Sequence, residues 1–595
     1  MDGILERRSP SPQKGRLPEW ARGKARGRIL AAVAVVLLVI VLAVSCGGAS
    51  GHADVPVQSG SPDAGVTGVR APSTARGGTL RVVAGEIDSL DPQRSYLPGV
   101  WNLMRLYTRT LVTYSSRPGH TGSLVPDLAT GLGSSPDGGQ TWKFTLRPGV
   151  SFSTGRAITS RDVKYGIERS FASDVIVGGP TYVVDLLDDP KNPYPGPYQD
   201  ASKDKLGLKS ISTPDDRTIT FHLRRPDPDF PYVLALPSSS PVPREADKGG
   251  SYGSSPVSSG PYVITSIDPR TGLVLDRNPH WSKATDPVRT ALPDHVVVRT
   301  GLSGMQRDQE VLAGAADVDV WGTGVQPATS ARLSDDGALR DRADDVTTGA
   351  MRLLALPTDV APMDKAACRD AVADAIDRDG LRKVLDRDDD VVLSSRLWPR
   401  NLPGGPRSGT PGAGAAAAHK ALAACGKPEG FATTLAVADT TAGVDLAHAV
   451  AAQLRQVGIR ATVKPLDAGS FYATDVGNPA NVVKQGYGIV LATWTADFPT
   501  PGSFLGPLVD GASIRSVGNT NYAHLDDHAV NALVAKARSG GGAAAWRAVA
   551  AAAQKTAAYV PLAESRVQLI AGQRLRNGVV MQAYSGYDLA TAGVE

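Results

Sequence analysis

Cysteine is scarce in this chain, with only Cys46, Cys368 and Cys425 in 595 residues, which excludes a small domain stapled by disulfides. There is no Cys-x-x-Cys pair and no phosphate loop ending in Gly-Lys-Ser/Thr, so the sequence offers no redox or nucleotide motif of those types. Neither charge sign dominates: 63 basic residues face 59 acidic ones. The small excess is concentrated at one end. Residues 1–28 hold eight Lys/Arg against Asp2, Glu6 and Glu19, so this head carries +5 against a chain total of +4 and the remainder carries −1. A body so close to neutrality gives no electrostatic ground for a nucleic-acid surface. Disorder is excluded by the 42% hydrophobic content, and the length allows several domain-sized units with an extensive core.

Long apolar runs are also rare, and the conspicuous one comes directly after the basic head. Ile29 to Cys46 is uncharged and slightly shorter than the roughly 20 residues that span a bilayer. It reads as an export signal whose basic flank stays cytoplasmic, placing the chain beyond Cys46 on the extracellular face of the cell membrane. Ser45-Cys46-Gly47-Gly48 resembles the lipobox of bacterial lipoproteins, with Ala43 where that motif usually has Leu. It implies lipidation at Cys46, and the alternative is an uncleaved signal anchor. Residues 47–77 mix Gly, Ser, Pro, Ala and Thr without apolar periodicity and are expected to form a flexible linker.

From Gly78 the texture changes. Thr79–Ala84 and Thr141–Arg147 alternate as strands, Val100–Val112 has helical spacing, and Asp137-Gly138-Gly139 is a turn, so the class is mixed α/β. Thr159 with Asp162 predicts a helix start. Leu454, Val457 and Ile459 with Gly458 predict a helix end and then a strand.

Beyond these local readings, Leu124 to Leu132, Asp137 to Gly155 and Ile158 to Tyr165 form a composite signature. It continues in Ser259-Gly-Pro-Tyr-Val-Ile, Arg277-Asn-Pro-His-Trp281, Cys368 to Arg378, Leu454 to Ile459, Trp494-Thr-Ala-Asp-Phe-Pro-Thr-Pro501 and Val560-Pro-Leu562. The set resembles the bacterial extracellular solute-binding proteins, family 5, of the oligopeptide, dipeptide and nickel class, over about residues 77–580 in the family's order. The resemblance implies an α/β, two-lobed periplasmic-binding-protein-like fold with a ligand cleft between the lobes and the larger lobe discontinuous: lobe I at 78–340 and 561–595, lobe II at 345–560. It further implies a monomeric, non-enzymatic receptor without a cofactor that binds short peptides and delivers them to an ABC permease. A metal chelate, sugar or opine-like solute is the alternative within the family. In peptide-binding relatives the aspartate of a similar Trp-x-x-Asp-Tyr segment takes the ligand's ammonium group, which implies ligand binding by Trp494, Asp497 and Phe498, with Phe498 replacing the usual Tyr. Physically, a carboxylate in a closed cleft selects a cation, and an indole beside it adds apolar and cation-π contact. Read as scaffold, Trp494 is core and Asp497 caps a turn before Pro499.

Other constellations are weaker. Gly249-Gly250-Ser251-Tyr252-Gly253 fits the nucleophile elbow of an exported serine hydrolase but lacks the strand and helix that pattern needs, and reads as a mobile loop. Asp386 to Asp390 starts like a calcium loop, yet Val391 stands where glycine is required. His524 and His528 have a spacing that could place two imidazoles on one helical face, but Asp526 or Asp527 as a helix cap explains the segment better, and no metal site is assigned. Segments 401–407 and 409–414 are rich in Pro and Gly and read as surface loops. With Cys46 lipidated, Cys368 and Cys425 are candidates for one bridge in an oxidising exterior, closing a loop of 57 residues and contributing about 4 kcal/mol in the chain-entropy view. The alternative is two buried thiols.

Overall fold

The computed structural model describes residues 61–595 except 269, 271, 386–390, 406–411 and 517. The basic head, the apolar run, Cys46 and the acidic turn at 386–390 therefore lie outside the described residues.

The strand expected at Thr79 spans Thr79–Val83, with Leu80, Val82 and Val83 buried. It lies inside a five-stranded sheet in the order Val318–Asp319, Thr79–Val83, His295–Arg299, Gly272–Arg277, Tyr262–Asp268. A three-stranded sheet of Thr141–Thr145, Thr218–His222 and Ile211–Ser212 pairs Trp142 with Phe221. One large core serves both sheets, drawing on residues from Leu80 to Val346 and again from Leu569 to Val594. This is the first lobe, assembled from two distant stretches of chain.

The second lobe is organised by a six-stranded sheet in the order Val391–Leu393, Tyr559–Ile570, Ala343–Ala355, Ile489–Trp494, Ala432–Ala438, Arg460–Leu466. Because strand side chains alternate across a sheet, each central strand feeds two cores. Met351, Leu353, Val490 and Ala492 join one, with Trp398 and Trp546. Leu354, Leu435, Ile489 and Leu491 join the other, with Cys368 and Cys425. Those cysteines are joined as a disulfide, their Cα atoms 5.1 Å apart, linking the helix Ala366–Asp374 to the end of the helix Ala415–Ala424.

The lobes are connected by two neighbouring strands. Ala343–Ala355 and Tyr559–Ile570 pair antiparallel along nearly their whole lengths. At one end Val346 and Leu569 belong to the first core, while Met351, Leu353, Leu354 and Ala355, with Val560, Leu562 and Ala563, belong to the second lobe's cores. The ladder is interrupted between Thr347 and Met351, where Gly349 adopts φ +80° and lies so close to the Asn401 side chain that a Cβ atom would meet it at 2.3 Å.

Two expectations are corrected. The helix expected over 100–112 is Pro98–Met104. Beyond it the chain is claimed by tertiary bonds: the Arg109 N–H donates to Ser259 Oγ, and the Leu111 carbonyl accepts from Asp127 and Ala129. The flexible linker does not extend to residue 77. A short helix, Ala64–Thr67, and the buried Arg70 dock on the body, the Arg70 Nε lying 2.9 Å from Asp344, 274 residues away. Composition reads such a stretch as unstructured because the carboxylate that anchors it is remote in the chain.

One buried ion network fixes the first lobe. Arg109 meets Asp127 at 2.7 Å, and Arg289 meets Asp127 at 2.9 Å and Asp286 at 3.2 Å. Burial alone would raise the Asp286 pKa, but the Arg289 and Arg109 charges outweigh it and hold the group well below the usual carboxylate range.

Candidate ligand site between the lobes

The strand Ile489–Trp494 is buried up to Ala492 and then leaves the sheet. Its neighbours Ala432–Ala438 and Arg460–Leu466 form a parallel set with it, so residues after Trp494 emerge at the carboxyl ends of parallel strands, where ligands of open α/β sheets bind. Trp494 is half-buried and fixed, its indole N–H donating to the Phe504 carbonyl at 2.9 Å while its ring meets Tyr522 edge-on at 6.4 Å.

Three residues on, the half-buried Asp497 points across to the first lobe. Tyr182 and Tyr96 both donate their hydroxyls to its Oδ2, the latter at 3.2 Å. Among the described residues no Lys, Arg or His forms an ion pair with it. Burial raises the Asp497 pKa, and the two hydroxyl donors hold that rise back in part.

Phe498 is buried and is the second lobe's buried contribution to the first core. It stacks on Tyr232 at 5.9 Å and 14° and meets Tyr182 edge-on at 5.6 Å. Thr500 then caps the helix Pro501–Val509 by accepting the Ser503 N–H, while its hydroxyl donates to Asp229 of the first lobe at 2.7 Å. Burial, reinforced by the neighbouring Asp227 carboxylate and opposed by the Thr500 hydroxyl, pushes the Asp229 pKa up to about 6. Trp494, Asp497 and Phe498 are thus brought together, but with different surroundings: Trp494 is tied to its own lobe, Phe498 is packed into the other, and Asp497 lies between them.

Tyr96, Tyr182 and Asp229 were not singled out by sequence reasoning. Tyr182 opens an ordinary short helix, Tyr182–Leu187, and no spacing links residues 96 or 182 to 497. The remaining candidates are accounted for by local structure. Gly249–Ser254 is a 3-10 turn with no strand leading into it among the described residues. His524 precedes the helix His528–Lys536 and contacts Asp359, so the two imidazoles do not share a helical face; Asp527 caps that helix at 2.9 Å from the Ala529 and Val530 amides.

Two α/β lobes joined by a pair of strands, with a cation-free carboxylate at their contact, define a two-lobed solute-binding protein. Residues 123–516 match the family described as bacterial extracellular solute-binding proteins, family 5 Middle, and the chain belongs to that family. It is 25% identical over 494 residues to the peptide transport periplasmic protein SapA of Salmonella typhimurium, spanning 78% of this chain and 81% of that one. It is 31% identical over 218 residues to the periplasmic oligopeptide-binding protein OppA of Escherichia coli, spanning 33% of this chain and 36% of that one. Among solved structures, clavulanic acid biosynthesis oligopeptide binding protein 2 superposes with a TM-score of 0.86 at 39% identity, covering 90% of this chain and 99% of that one.

Proposed function

We propose that the protein is the substrate-binding component of an ABC importer, closing on short peptides and taking their terminal ammonium group on Asp497. The observation that carries this reading is a half-buried carboxylate met by hydroxyls of Tyr96 and Tyr182 and by no cation. A buried carboxylate without a counter-ion is costly, and a ligand cation would supply the missing charge. The names of the relatives, which refer to peptide transport and oligopeptide binding, support the same class of solute. Hinge closure without chemistry is the proposed mechanism. Calorimetric titration with trialanine and N-acetyl-trialanine tests it: the free amine is expected to bind and the blocked peptide to bind far more weakly, with both recovered intact. Equal binding of the two, or binding of neither, would overturn the assignment.

The tether belongs to the same proposal. Cys46 is proposed as the lipid attachment point, holding a monomeric receptor at the outer membrane face near its permease. Metabolic labelling with a fatty acid is expected in the wild type and absent in Cys46→Ala. An unlabelled wild type that retains its first 45 residues would point to the signal anchor instead.

A further inference from the structure

The segment that precedes the first strand docks on one of the two strands joining the lobes. Ala343–Ala355 is paired along one edge by Tyr559–Ile570, on both sides of the interruption between Thr347 and Met351. Its other edge is paired by Ile489–Trp494, but only from Met351 to Ala355. Over Ala343–Thr347 that edge has no partner strand among the described residues, and Asp63 takes up part of it. The Asp63 N–H donates to the Ala343 carbonyl at 3.0 Å, and Asp63 Oδ1 accepts the Asp345 N–H at 2.7 Å.

Between these two contacts lies Asp344, which is fully buried. Among the described residues its carboxylate accepts from the Gly65 N–H at 2.7 Å, from Arg70 Nε at 2.9 Å and from the Tyr587 hydroxyl. The amide and the guanidinium both belong to the docked segment, and Arg70 is the cation paired with this acid. Arg70 also donates through Nη2 to the Ala343 carbonyl at 2.9 Å. Depriving a buried carboxylate of its cation is costly, so the docking of 63–70 and the position of residues 343–345 are energetically one event.

We infer that residues 63–70 brace the root of this strand, confining the change of angle between the lobes to the residues around Gly349, so that ligand affinity depends on a segment docked on the first lobe. The inference rests on the reading of a receptor that closes on a peptide and adds a device that governs closure. Beyond the interruption the strand is held on both edges by its neighbours; before it, the second edge is held by the brace. With the brace released, residues 343–347 keep a single partner strand and the lobes sample a wider range of angles. A smaller share of molecules is then aligned to close, and the apparent affinity falls in proportion to that share.

The test combines hydrogen exchange and calorimetric titration with trialanine on the full chain, below the melting temperature of each variant. Arg70→Met is expected to speed exchange at residues 345–350 by about tenfold, leave the amides of Ile489–Leu491 unchanged, and weaken trialanine by about tenfold. Asp63→Ala leaves the buried ion pair in place and should shift both readouts in the same direction, which provides the reading should Arg70→Met fail to fold. Unchanged exchange at 345–350 in the folded variants would overturn the brace, and faster exchange with unchanged affinity would overturn its link to binding. Failure of the wild type to bind trialanine would instead overturn the peptide reading, and the exchange data would still decide whether the segment braces the strand.

Discussion

Asp286 and Asp497 are both withdrawn from bulk water, yet their surroundings differ in kind. Asp286 shares Arg289 and Arg109 with Asp127, so its charge is compensated inside the first lobe and its pKa falls. Among the described residues Asp497 has only the dipoles of two tyrosine hydroxyls, and its pKa rises. A carboxylate completed by the fold stabilises the fold. One left without a cation at the contact of two lobes has unused capacity for a cation from outside. The contrast is the physical ground for proposing that Asp497, and not Asp286, receives a ligand cation.

Four perturbations would break or sharpen that contrast, beginning with the largest. Arg289→Met strips Asp127 and Asp286 of a shared cation and should lower stability by about 3 to 5 kcal/mol, read from the denaturant midpoint. An unchanged midpoint would mean that the network does not compensate the two acids. Asp497→Ala should do the reverse, leaving the melting temperature of the empty protein nearly unchanged while weakening an unblocked peptide by about 30-fold or more, the equivalent of at least ~2 kcal/mol. Its effect should not add to that of N-acetylating the peptide, because both delete one interaction; full additivity in the four titrations would place the ammonium elsewhere.

Asp229 is an intermediate case, bonded across the lobes by Thr500 but without an ion-pair partner among the described residues. Its pKa of about 6 lies above the ordinary 3.8, so the folded protein holds this proton more tightly than the unfolded chain. Stability from this group is therefore fully present below about pH 4, declines as pH rises to about 6, and is level above that. Asp229→Asn should raise stability at pH 7 by on the order of 2 to 3 kcal/mol and change it little at pH 4. Melting curves at the two pH values test this, and an equal shift at both would remove the titration from the account. The smallest effect is expected from Tyr96→Phe, which deletes one donor to Asp497 at a cost of about 1 kcal/mol. Binding of an unblocked peptide is lost as pH falls through the Asp497 pKa, and the variant should move that loss to higher pH. A pH series in which the two binding curves coincide would show that the hydroxyl does not act on the carboxylate.

How far the sequence was legible depends on the range of the interactions involved. The strands at Thr79 and Thr141 are written in alternation. The helix start at Thr159 is set by Asp162, whose carboxylate takes the Thr159 N–H at 2.7 Å, and the end of Thr441–Gln456 is set by Gly458 at φ +89°. All are decided within a few residues. The helix expected to continue to Val112 stops at Met104 because partners far along the chain claim its backbone. Asp497 was reached through the resemblance of its segment, but its tyrosines lie 315 and 401 residues away, and nothing in local spacing encodes that.

The two strands that join the lobes are adjacent in one ladder, interrupted where Gly349 turns. Two separated connections would hold the lobes rigidly, and a single strand would let them swivel about several axes. Two abutting strands fall between these cases and restrict the relative orientations of the lobes more than a single strand would. For the proposed closure on a solute, such a restriction would leave less orientational entropy to be lost when the lobes meet, so that more of the contact energy would appear as affinity.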